Sequence, residues 1–139
     1  MIFMLTDFKC QAKLKKLGHP WALGKAFHAS SPFGNIFSLS GVDLQKLELS
    51  LEVNGQLRQS STTDKMIFSV PELVAYLTTF FPLQPGDWIL TGTPEGVGRL
   101  QAGDRVNAVV RGEGGKVLSE GEWKVTLSPL PANWRTAAK

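Results

Sequence analysis

The chain has 139 residues, 42% of them hydrophobic, which is enough for one core of ordinary size and too few for two. Its 15 Lys and Arg against 12 Asp and Glu leave a net charge of +3, with no basic tract dense enough to follow a phosphate backbone, so nucleic acid is not an expected partner. The lone Cys10 excludes an intramolecular disulfide, two histidines are too few for a Cys/His zinc cluster, and no apolar run reaches membrane-spanning length, so a reducing, cytoplasmic setting is expected and no membrane.

In chain order, Met1-Ile2-Phe3-Met4-Leu5 is apolar, too short for a signal core, and reads as the end of a buried strand. Asp7 to Leu17 carries helix signals: Thr6 or Asp7 as cap, lysines late, Gly18 past the last turn and Pro20 beyond. Phe8, Gln11 and Leu14 share roughly one face of that helix. Gly24 to Asp43 has no steady period and reads as a long loop of the kind that borders a site. Lys46 to Val53 alternates strictly, with Leu47, Leu49, Leu51 and Val53 inward and Glu48, Ser50 and Glu52 toward solvent. Asn54-Gly55 is a type I′ turn signal that returns the chain as a second strand over Gln56 to Gln59.

Ser69 and Glu72 form a capping box that opens a helix over Val70 to Phe80, with Leu73, Val74, Leu77 and Phe80 on one apolar face. Two similar turns follow, Leu83-Gln84-Pro85-Gly86-Asp87 and Leu100-Gln101-Ala102-Gly103-Asp104, feeding expected strands at Trp88 to Thr91 and Arg105 to Arg111. Lys116 to Leu127, with Val117, Trp123, Val125 and Leu127 as apolar positions, completes the sheet, and Pro129 to Lys139 is expected to be a loosely held tail. The sum is a mainly β domain with short helices, a mixed β-roll or sandwich.

There is no Gly-x-Ser-x-Gly elbow, Walker A loop, dinucleotide-binding glycine pattern or His-Glu-x-x-His. The segment Leu90-Thr91-Gly92-Thr93-Pro94-Glu95-Gly96-Val97-Gly98 offers backbone N–H groups and two hydroxyls together, which suits a small anion, although such a bend can also satisfy only itself. Lys25, beside Trp21 and Phe27, could hold a carboxylate or polarise a carbonyl, and Gln11 could orient a water; a solvated lysine and a surface glutamine are the plainer alternatives. His19 and His28 lie beside no nucleophile in sequence, Asp87 and Asp104 fit turn roles, and Glu95 reads as a turn residue.

Taken together and in order, Lys15 to Trp21, Lys25 to Pro32, Val53 to Gln59, Pro85-Gly86-Asp87 and Thr91 to Gly98 resemble the fumarylacetoacetate hydrolase family. The likeness is to its short acylpyruvase, oxaloacetate decarboxylase and hydroxyhepta-dienedioate isomerase branch, and it runs from about Leu5 to Val110. It implies a catalytic domain of that family over residues 1–128, beginning after the family's N-terminal segment, with 129–139 as tail. It also implies a small 2-oxo acid substrate, a homodimer, and Mg²⁺ or Mn²⁺ as a Lewis acid that stabilises an enolate. By the same resemblance Lys25 and Gln11 are the catalytic side chains, and Thr93, with Thr91 and Gly92, binds the substrate carboxylate. The family's metal-binding aspartate falls on Met4 and a following arginine on Phe8; Asp7 is the nearest carboxylate, at the cost of a register shift. The family's other metal-binding glutamates belong to the segment that precedes this match. A non-catalytic family member is the alternative reading.

Overall fold

The computed structural model of the protein describes residues 4–38 and 40–127. Within them, helix α1 (Phe8–Lys16) and the one-turn helix α2 (Ala22–Lys25) precede strands β1 (Glu48–Val53) and β2 (Gln56–Thr62). Helix α3 (Val70–Thr78) and strands β3 (Arg105–Arg111) and β4 (Val117–Lys124) follow. The four strands form one antiparallel sheet in the order β2-β1-β3-β4.

The β1–β2 hairpin turns where Asn54-Gly55 predicts, with φ of 53° and 75°, both in the left-handed region that a type I′ turn requires. Its tip is clamped to the turn before β3. Asn54 donates its side-chain amide to Asp104 Oδ1 at 2.9 Å, and its Oδ1 accepts the Arg105 backbone N–H at 2.9 Å. The two similar turns are chemically alike: Asp87 accepts the Gln84 N–H and Asp104 the Gln101 N–H, each at 2.7 Å. The hydrogen bonds from Gln101 and Asn54 hold the Asp104 carboxyl below the usual aspartate range.

Register explains the core. Leu49, Leu51 and Val53 stand opposite Val110, Ala108 and Val106, which face Ser119, Gly121 and Trp123 in turn. Val53, Val106, Ala108 and Val110 are buried, as is Leu14 of α1. A bulge between β3 and β4 places Val117 opposite Arg111 on the outer face and Ser119 opposite Val110. Val117, expected as an apolar position of the sheet, is therefore exposed, as is Leu127 beyond the strand, and the small Ser119 is buried beside Val110 instead.

Three further expectations need correction. Trp88 to Thr91 is irregular chain, because no described strand pairs with it; its register is replaced by a ring contact between Trp88 and Phe33, centroids 4.6 Å apart. Helix α3 has the expected capping box, with Ser69 and Glu72 bonded reciprocally, but none of its residues is buried. Met4 and Leu5 are half-buried outside any strand, Leu5 donating its backbone N–H to the Ser30 carbonyl at 2.7 Å. Residues 1–3 and the expected tail at 129–139 lie outside the described residues.

Ser69 holds the Glu72 carboxyl below the usual glutamate range. A depressed folded-state pKa contributes stability that is present above the unfolded value and is lost as pH falls through the folded one. The helical circular dichroism of α3 is accordingly expected to weaken as pH drops below the ordinary glutamate range. Glu72→Gln should remove that pH dependence, and an unchanged acid profile in the variant would count against the capping box.

Candidate functional site

The first cluster is built where α1 meets α2. Asp7 caps α1, its Oδ1 accepting the Cys10 backbone N–H at 3.0 Å. The Asp7 backbone N–H reaches across to the Gly24 carbonyl at 2.9 Å. Gly24 is buried, and a Cβ there would stand 3.1 Å from the Gln11 backbone nitrogen, so only glycine lets α2 seat against α1 without displacement. That contact sets Lys25 and Gln11 on adjoining elements. Lys25 is half-buried and donates from Nζ to Thr6 Oγ1 at 2.8 Å. This hydroxyl neutralises none of the ammonium's charge, and two N–H donors stay available for an anion. The Gln11 side chain is half-buried and makes no hydrogen bond to a described residue.

The second cluster is the glycine-rich bend. Gly92 and Gly96 have φ of 106° and 93°, a region that side-chain-bearing residues rarely adopt. The bend is fastened to β2 by one side chain. Gln59 Nε2 donates to Thr93 Oγ1 at 2.9 Å, to the Pro94 carbonyl at 2.9 Å and to the Glu95 carbonyl at 3.3 Å. Gly96 lies directly against the Arg58 backbone carbonyl. Thr93, Gly92 and Thr91 are exposed, and Thr91 makes no hydrogen bond to a described residue.

The structure thus places Lys25 and Gln11 on adjoining helices, and gathers Thr91, Gly92 and Thr93 into one bend. No hydrogen bond among the described residues joins the two clusters. Their connection runs through the loop after α2, whose Phe33 ring packs on Trp88 three residues before Thr91.

The donor set does not fit a divalent cation. Among the described residues no three His, Cys, Asp or Glu side chains converge. Asp7 is engaged as a helix cap, and Met4 offers a soft thioether where Mg²⁺ or Mn²⁺ prefers oxygen. Glu48 and Glu52 lie on the outer face of β1, paired in register with Arg111 and Asn107. His19 and His28 are exposed.

Sequence reasoning missed Thr6 as the partner of Lys25, Gly24 as the seat of α2, and Gln59. Thr6 was legible only as a rival cap, and a four-residue helix is too short to leave a period. Gln59 sits in a strand whose one apolar residue is Leu57, and only the tertiary contact marks its role.

The sequence matches the family described as fumarylacetoacetate (FAA) hydrolase C-terminal over residues 5–118. It is 47% identical over 108 residues to a fumarylpyruvate hydrolase of a Ralstonia species, covering 78% of this chain and 56% of the relative. It is 45% identical over 110 residues to an oxaloacetate tautomerase of Escherichia coli, covering 78% of this chain and 50% of the relative. In fold it is similar to the fumarylpyruvate hydrolase of Pseudomonas aeruginosa solved with Mn²⁺ and pyruvate. The TM-score is 0.76 at 40% identity, covering 88% of this chain and 51% of that one. The chain spans about half the length of the relatives it matches.

Proposed function

We propose, since the chain belongs to the fumarylacetoacetate hydrolase family, that it serves the chemistry of small 2-oxo and β-diketo acids. The reactions in view are C–C hydrolysis of acylpyruvates or fumarylpyruvate, oxaloacetate decarboxylation, and hydroxy-dienedioate isomerisation. The observation that carries this reading is Lys25: a half-buried ammonium held by a neutral hydroxyl, with donors left over and the Gln11 amide on the adjoining helix. All these reactions pass through an enolate, and a fixed positive charge beside the enolate oxygen lowers that barrier because the charge develops only in the transition state. Lys25 supplies the charge. Gln11 orients the carbonyl or an attacking water. Thr93, with the Thr91 hydroxyl and the Gly92 N–H, holds the substrate carboxylate at the far end. The family relative solved with Mn²⁺ and pyruvate has a metal; the residues described in this chain do not fit one, and no step is assigned to it.

The decay of the enol absorbance of acetylpyruvate and oxaloacetate tests this directly, with Mg²⁺, with Mn²⁺ and with chelator. The expected result is turnover that falls at least about a hundredfold in Lys25→Ala, the range of one preorganised electrostatic group. Decay no faster than background, with the fold intact, overturns it. That result would establish the second reading, a non-catalytic family member, which the thioether of Met4 at the family's aspartate position favours.

The same reading includes a homodimer in the cytoplasm. Ile67 is 92% exposed, and Phe68, Tyr76, Phe80 and Phe81 are also exposed on α3 and the chain flanking it, apolar side chains that association of two copies would cover. Light scattering at micromolar concentration is expected to report a species of twice 15.2 kDa or larger; a single 15.2 kDa species overturns the association.

A further inference from the structure

We infer that Gln59 is a positioning residue for the carboxylate-binding threonine: its amide fills the acceptor side of Thr93 Oγ1, so the Thr93 hydroxyl proton is turned outward to the ligand. This rests on the reading that Thr93 meets a substrate carboxylate.

A threonine hydroxyl has one proton to donate and lone pairs with which to accept. An anion needs the proton. With Gln59 Nε2 donating to Oγ1 at 2.9 Å, accepting is already accomplished, and no described residue takes the hydroxyl proton. The amide orientation follows from its surroundings. The same nitrogen faces two backbone carbonyl oxygens, Pro94 at 2.9 Å and Glu95 at 3.3 Å, and the amide oxygen in that place would stand against both of these acceptors and lose both hydrogen bonds. A hydroxyl that accepts a hydrogen bond becomes a better donor, so the relay from Gln59 to Thr93 to carboxylate strengthens along its length.

The strand is built to aim this side chain. Between Leu51 and Glu52 the β1–β2 register slips, placing Leu57 opposite Glu52 and Gln59 opposite Leu51. The extra residue, Arg58, carries Gln59 from the outer face to the inner one. Its own carbonyl then becomes the surface on which Gly96 rests. One bulge therefore provides both the side chain that fixes Thr93 and the backbone seat of the bend.

The test is NMR of the full chain with two readouts. In the ligand-free protein, heteronuclear NOEs of residues 92–96 are expected at the rigid level, dropping to the flexible range in Gln59→Leu; unchanged values overturn the inference. With pyruvate added to millimolar concentration, Gln59→Leu is expected to weaken binding roughly tenfold, as for loss of a hydrogen bond to a charged group. In a Thr93→Val background, where no hydroxyl remains to orient, Gln59→Leu should change affinity less than about twofold. Losses that multiply fully would make Gln59 a mere prop and overturn the inference. If the unmutated chain shows no pyruvate-dependent shifts, the functional reading fails and the inference that rests on it fails with it, whereas binding by the unmutated chain with fully multiplying losses overturns the inference alone.

Discussion

Gly96→Ala is expected to release the glycine-rich bend from the sheet. The added methyl would collide with the Arg58 carbonyl, and the φ of 93° would be strained for any residue with a Cβ. Strain of that kind costs about 1–3 kcal/mol, and the collision is with backbone, which cannot step aside as a side chain can. The measured loss is capped by the alternative open to the chain, which is to undock the bend and give up the Gln59 hydrogen bonds at about 1 kcal/mol each. The expected effect is therefore about 2–3 kcal/mol in urea unfolding, with faster amide exchange confined to residues near 91–98. Unchanged stability together with unchanged exchange would show that the bend does not sit on Arg58.

Gly34→Ala is expected to cost a similar amount by a different route. A Cβ at Gly34 would stand 2.8 Å from the Glu120 carbonyl oxygen and 3.3 Å from Ser119 Oγ. At that crossing the Asn35 N–H donates to the Glu120 carbonyl at 3.1 Å, and the Ser119 hydroxyl donates to the Asn35 carbonyl at 2.5 Å. Lifting the loop breaks both hydrogen bonds, at about 1 kcal/mol each, and loosens the Phe33–Trp88 pair, worth about 0.5–1.5 kcal/mol. The expected sum is about 3 kcal/mol. Ser119→Ala, which keeps the crossing and removes one donor, should cost only about 1 kcal/mol in the same thermal or urea melts. Equal losses in the two variants would mean that crowding at Gly34 is not what sets the cost.

The legible parts of the fold were those whose signals are local. Asn54-Gly55 forced its turn, Ser69 and Glu72 capped α3, and the aspartates of the two similar turns closed them, because each device is completed within a few residues. Strand β1 was visible through alternation, and β3 through its Val-rich run. What depended on partners was not legible. Trp88 to Thr91 has strand composition but no strand beside it, and Val117 was displaced by a bulge that depends on how β3 and β4 register. The apolar stripe of α3 was legible as one face of a helix, yet its period fixes only the side on which residues lie, not whether anything covers them. In the candidate site, Lys25, Gln11 and Thr93 were reached through the family resemblance. Gln59 and Thr6 act across 34 and 19 residues of sequence, a separation no local pattern encodes.

The two outermost strands of the sheet share a property that bears on behaviour in a crowded solution. An unpaired strand margin is a template on which another chain can add, the first step of ribbon-like aggregation. Beside β2, the bend after Thr91 occupies the Arg58 carbonyl with Gly96 and sets Gln59 against Thr93 and Pro94. Beside β4, Asn35 takes the Glu120 carbonyl. The segments that furnish the candidate site and its connecting loop thus also act as guards, blocking strand addition at these points on both margins. A mutation that lifts either guard would therefore open a strand margin to addition by another chain.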